Sequence, residues 1–227
     1  MLDADAHYFA MLLPLLAACA APPRHAAADP QAPTRQSDAT ATEPLAPVLL
    51  GEAREVIEFW RAAGPSLWFA KDLDFDRRFR ERFADAYAAA ASGALAHWAQ
   101  TADGSLALIL LFDQYPRNAF RGTARMYATD EAARAEAERA VAAGFDRTVA
   151  PELQPFVILP FGHSESLADQ ERSVALCRRL GPPHLSHAEH HRDIVRRFGR
   201  FPHRNAILGR SSTDAERTYL ENGGYQG

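Results

Sequence analysis

Four aromatic residues, Phe75, Phe79, Phe83 and Tyr87, recur at strict i, i+4 spacing. An α-helix sets such a series on one face, so this stretch reads as a long helix over residues 75–91 whose aromatic stripe faces a core. Asp72 or Asp74 can cap its start, and Ser92-Gly93 closes it. A stripe this bulky is a packing surface before it is a ligand-binding one.

The same signals recur along the chain. Residues 52–62 carry Val56, Ile57, Phe59 and Trp60 among charges and read as a helix ended by Gly64-Pro65, with Trp68-Phe69 in a loop. Residues 95–99 allow one further turn, and Thr101 to Gly104 reads as a break. Residues 105–115 are a continuous apolar run in which Leu outnumbers β-branched residues, which favours a buried helix. Further helices are expected over residues 130–143, capped by Thr129 or Asp130, and 167–180, capped by Ser164 or Ser166 and stopped by Gly181-Pro182-Pro183. Residues 186–198 end at Gly199, and residues 213–222 open with a Thr213/Glu216 capping box. No partner strands are evident. The expected fold is all-α, one multi-helix globular domain over residues 51–227.

Residues 1–50 differ. Tyr8 to Ala21 is apolar but too short to span a bilayer, and Pro14 interrupts it. A tract rich in Ala, Pro, Thr and Gln follows, with too little apolar content to offset its ordering entropy. Leu16-Ala17-Ala18-Cys19 resembles a lipobox, yet Asp3 and Asp5 stand where a signal segment carries positive charge. A lipoprotein signal, a wrongly assigned start codon and a disordered extension all remain open. The domain is expected in the cytoplasm or, if Cys19 is lipidated, exported and anchored to a membrane.

The formal net charge of −4 gives no global field for nucleic acid. Lys71 is the only lysine, and the Arg and Ala richness is what a GC-rich genome produces. Cys177 lies in a helical pattern and reads as a buried structural thiol. There is no dinucleotide-binding glycine pattern, Walker loop or CxxC motif, and no cofactor is expected.

Three stretches place polar residues in apolar company. Asp113 ends the most apolar segment, with Arg117 one helical turn on; the pair either braces a turn or forms a pocket floor. His163 and Glu165 flank an expected helix start, where acid–base work at an anion site is possible; an N-cap Ser with a satisfied His is the plainer reading. The third stretch is dense in cations, with His191, Arg200, His203 and Arg204 the candidates for holding a small phosphate or carboxylate. A solvated basic helix face is its alternative. His187 and His191 have the i, i+4 spacing of metal ligands, but no thiolate is near and no metal site is expected. One echo is present: Tyr115-Pro116-Arg117-Asn118-Ala119 resembles Phe201-Pro202-His203-Arg204-Asn205-Ala206, and each precedes a Thr-Asp helix start. In each, Pro is read as ending a helix, with Arg and Asn entering a loop.

With these strings in view, the chain resembles the bacterial domain-of-unknown-function family 924 from about Val56 to Gly224. The resemblance rests on Phe59-Trp60, Trp68-Phe69, Leu108 to Asn118, Pro160-Phe161 with His163-Ser164-Glu165, Asp169-Gln170, and His191-Arg192 through to Thr213. It implies an all-helical fold similar to tetratricopeptide-like stacked helical hairpins, although the repeat consensus itself does not occur. It implies no activity. Gly162 stands where the family pattern carries a methionine-like residue, a change that would enlarge a pocket. The functional expectation is a small-molecule site for an anionic ligand. Asp113, Arg117, His191, Arg200, His203 and Arg204 would bind, and His163 with Glu165 would transfer protons. The alternative is a helical module that binds a protein partner without catalysis.

Overall fold

The computed structural model describes residues 49–227. Cys19 and the lipobox reading lie outside the described residues. All regular structure described is helical: α1 (Leu49–Ala63), α2 (Pro65–Trp68), α3 (Leu73–Ala91), α4 (Ala102–Ile109), α5 (Tyr115–Ala119), α6 (Asp130–Ala142), α7 (Gln154–His163), α8 (Leu167–Cys177), α9 (His184–Phe198) and α10 (Asp214–Glu221). Short 3-10 turns join several of them. Consecutive helices α6, α7, α8 and α9 pack pairwise, while α1 and α6 pack on α4, and α3 on α5. No described helix is long and apolar enough to cross a membrane.

The aromatic stripe of α3 is the core face its spacing predicts. Phe75, Phe79 and Phe83 are buried. Phe59 stacks on Phe75 and Phe79 at 5.5 and 5.4 Å between centroids, and Phe79 meets Tyr115 edge-on at 5.4 Å. Such pairs add to the area they bury. Asp72 caps the helix, accepting a hydrogen bond from Phe75 N at 2.8 Å. The capping box of α10 is also present: Thr213 Oγ1 accepts from Glu216 N, and Glu216 accepts from Thr213 N. Cys177 is buried, and burial pushes its thiol up to about 11.

Four local expectations are corrected. Thr101 to Gly104 is a helix start, because Thr101 Oγ1 accepts from Gly104 N at 3.1 Å and caps α4. Trp68 ends the short helix α2 rather than lying in a loop, with Pro65 at its permissive first turn. Residues 154–163 form α7, although Pro160 lies inside it. The helix survives because Phe156, Val157, Ile158 and Phe161 are all buried, so packing outweighs the hydrogen bond that proline cannot donate. His163 is consequently the last residue of a helix and does not stand at the start of one.

The fourth correction concerns Pro116. It does not end the apolar helix but sits in the first turn of α5, directly after a π-helical turn over Leu110–Gln114. Pro116 has no N–H for the carbonyl of Phe112, and its ring crowds the preceding turn. The helix widens, Tyr115 N donating to Leu110 O. The carbonyl of Phe112 accepts instead from Thr129 Oγ1 at 2.6 Å. Single π turns of this kind re-aim the residues they carry, and this one carries Asp113 and Gln114.

Candidate functional site

The π turn buries Asp113 to 1% exposure. Its Oδ1 faces two partners, His163 Nδ1 at 2.7 Å and Arg117 Nη1 at 3.1 Å, and Oδ2 accepts from Gln114 Nε2 at 2.6 Å. Burial opposes ionisation, but Arg117, His163 and Gln114 together overcome it and hold the carboxyl at about 2. The ionised carboxylate can only accept, so Nδ1 of His163 carries the proton in this arrangement. Burial and the charge of Arg117 lower the imidazole pKa against the pull of Asp113. The ring is therefore neutral at pH 7, 17% exposed, with Nε2 as its basic nitrogen.

His163 is aimed by the way α7 ends. The last carbonyls of a helix have no partner within it. Gln170 of α8, fully buried, donates to Gly162 O at 2.8 Å and Ser164 O at 2.6 Å. His191 of α9 places Nδ1 3.2 Å from Gly162 O. Three helices thus meet at Gly162. Its missing side chain leaves no enlarged pocket: a Cβ there would stand 3.3 Å from Ser173 Oγ and 3.8 Å from His191 Nδ1, so these neighbours close onto the bare backbone.

Arg117 extends the cluster. Its Nη1 donates to the carbonyl of Asp113 and to Asp130 Oδ1, each at 2.8 Å. Asp130, in the first turn of α6, also faces Arg204 Nη1 at 3.7 Å. The two arginines of the sequence echo therefore converge on one carboxylate. Tyr127 lies beside both, with its ring 5.8 Å from the guanidinium carbon of Arg117 and 4.6 Å from that of Arg204. Phe201 lies 4.6 Å from the same carbon of Arg204. Burial raises the Tyr127 pKa despite both cations, so it stays a phenol. Arg204 is lowered by burial and by Arg117, yet a guanidinium remains charged at any ordinary pH.

Two expected site residues, one for proton transfer and one for ligand binding, are engaged with other partners. Glu165 accepts from Arg210 through both oxygens, at 2.6 and 2.9 Å, and from Phe201 N at 2.9 Å. The partner of His163 is Asp113, not Glu165. Arg200 makes a bidentate pair with Glu216 at 2.6 and 2.8 Å and donates to Ser211 O. It thereby ties the end of α9 to the capping box of α10. His191 and His203 form an aromatic wall with Phe201 and Tyr225. Burial lowers them to about 3 and about 4 respectively, so both are neutral. Among the described residues no three His, Cys, Asp or Glu side chains gather into a metal-binding group.

Five buried polar atoms of this region have no hydrogen-bond partner among the described residues: Arg117 Nη2, Arg204 Nε, Gln170 Oε1, His191 Nε2 and His203 Nδ1. Most buried polar atoms are paired, so such a concentration is unusual. Sequence reasoning missed Tyr127 and Asp130 as members. The echo was the one available signal for Asp130, since a Thr-Asp step follows each copy. Nothing in the sequence marks Tyr127.

No curated protein matches the chain. A protein of unknown function from Agrobacterium tumefaciens is 53% identical in sequence; the likeness covers 77% of this chain and 99% of that one, with a TM-score of 0.75. The pattern of the family described as bacterial protein of unknown function (DUF924) matches residues 56–224, a span that runs from α1 to just beyond α10 and takes in every member of the cluster. The chain belongs to that family.

Proposed function

We propose that the cluster of Asp113, Arg117, His163 and Arg204 binds a small organic anion, and that His163 acts on it as a general base. The observation that carries this reading is the pair of unpartnered guanidinium donors, Arg117 Nη2 and Arg204 Nε, buried in the same cluster as a neutral imidazole. Guanidinium edges suit carboxylate and phosphate oxygens. The Asp113–His163 contact fixes the tautomer that leaves Nε2 able to accept a proton, as orienting carboxylates do in general-base catalysis. Asp113 takes the partner role expected of Glu165. Glu165 and Arg200 are positioning residues, which hold the Phe201–Arg210 segment and α10 in place.

Thermal-shift titration of the full chain against small carboxylates and phosphates tests the reading. Saturating ligand at about 100 times its dissociation constant stabilises the folded state by roughly 2.7 kcal/mol. Arg204→Met is expected to lose the shift. His163→Gln is expected to keep the shift and lose turnover. No shift from any anion in the wild type would refute the reading.

A protein-docking role is the second reading. It is favoured by Phe69, just after α2, and Leu73, at the start of α3, which are large apolar side chains 49% and 78% exposed. Replacing both by Ser and finding no loss of any co-purifying partner would dismiss it.

A further inference from the structure

The charges around the two arginines narrow the ligand further. Arg117 and Arg204 supply two positive charges. Asp113 and Asp130 supply two negative ones at ion-pair distances: Arg117 lies 3.1 Å from Asp113 and 2.8 Å from Asp130, and Arg204 lies 3.7 Å from Asp130. Glu165 and Arg210 cancel each other at 2.6 Å. His163, His191 and His203 are neutral, and Tyr127 is a phenol. The donors at Arg117 Nη2 and Arg204 Nε therefore sit in a region with no net charge. They draw an anion by hydrogen bonding and short-range attraction. Each negative charge it brings is opposed by two fixed carboxylates in a poorly solvated place, where like charges are most costly.

The shape of the donors points the same way. The guanidinium carbon of Arg204 has the rings of Tyr127 and Phe201 each at 4.6 Å. Aromatic cover of this kind leaves a guanidinium to bond at its planar edge, which matches the two coplanar oxygens of a carboxylate. Asp130 is itself a carboxylate set between the two cations, 23% exposed, and offers the template such a ligand would share or displace.

We propose that this site, read as an anion site, selects small monocarboxylates over dianions such as sulfate or phosphate, and that Asp130 sets the selection by neutralising the Arg117–Arg204 pair from within. A ligand with one charge is held by the two free donors. A ligand with two is rejected by Asp113 and Asp130.

The test is a chemical-shift titration of the full-length protein with acetate and with sulfate, at constant ionic strength and pH 8, following the ring signals of His163 and Tyr127. The wild type is expected to bind acetate at least tenfold more tightly than sulfate. Asp130→Asn removes one negative charge at nearly constant size, and is expected to raise sulfate affinity tenfold or more. Asp130→Glu keeps the charge and is expected to keep the preference for acetate. A wild type that prefers sulfate, or binds the two equally, overturns the selection while leaving the broader anion site standing. So does a folded Asp130→Asn protein with an unchanged ratio. Saturable binding of neither anion overturns the selection, and the broader anion reading falls as well if no carboxylate or phosphate shifts the melting of the wild type. If Asp130→Asn fails to fold, the wild-type ratio and Asp130→Glu decide the question alone.

Discussion

His163 Nδ1 and Asp113 Oδ1 stand fifty residues apart in the chain and 2.7 Å apart in space, joining the last residue of α7 to the π turn that follows α4. The contact makes Asp113 both the orienting group for the imidazole and the counter-charge for Arg117.

That double role has a pH signature. The folded-state pKa of Asp113 lies near 2, below its ordinary value of 3.8. A depressed acid stabilises the fold above its unfolded pKa and ceases to do so as pH falls through the folded one. The stability it contributes, on the order of 2 kcal/mol, is expected to vanish between about pH 4 and pH 2. Asp113→Asn is expected to lack this component and to lose about 3–5 kcal/mol at pH 7, because Arg117 is left buried with part of its charge uncompensated. Denaturant unfolding of both proteins at several pH values measures both effects.

His191 and His203 act at milder acidity. Their folded pKa values, about 3 and about 4, lie below the ordinary 6.5. The unfolded chain therefore binds more protons than the folded one as pH drops below 6.5, and stability falls. Each such histidine adds a slope approaching about 1.4 kcal/mol per pH unit. His191→Phe is expected to remove one of these slopes. Urea unfolding at pH 7, 6 and 5 gives the comparison; parallel curves for wild type and variant would contradict the assignment.

Glu165→Gln separates bracing from chemistry. The carboxylate holds Arg210 through two hydrogen bonds and also accepts from Phe201 N. Losing the charge is expected to cost about 1–3 kcal/mol of stability, since hydrogen bonds to charged groups lie in that range. A variant as stable as the wild type would show that the Glu165 contacts do not anchor the Phe201–Arg210 segment.

The π turn gives a backbone test. Thr129→Val leaves the carbonyl of Phe112 without its 2.6 Å partner, at an expected cost of about 1–3 kcal/mol. Adding Pro116→Ala restores an N–H in the turn and is expected to recover part of the loss. A double variant whose cost equals the sum of the single ones would show that the proline and the threonine act independently.

The amino-acid sequence by itself determined the helical class and most of the helix limits. Capping by Asp72 and Thr213, the Phe75–Tyr87 stripe and the Gly199 stop are interactions among residues at most about one turn to a few turns apart, and these can be read along the chain. Most of the residues that form the cluster were also legible, because Asp113, Arg117, His163 and Arg204 are charged or titratable groups in apolar company. Only the tertiary structure decided their partners. Glu165, two residues from His163 in sequence, belongs to Arg210, while Asp113, far upstream, belongs to His163. Helix α7 and the π turn escaped local reading for a related reason. Proline weakens both segments locally, and burial against neighbouring helices together with the hydroxyl of Thr129 restores them. A pairing depends on which surfaces pack, and packing is a sum over distant residues that no short window of sequence contains.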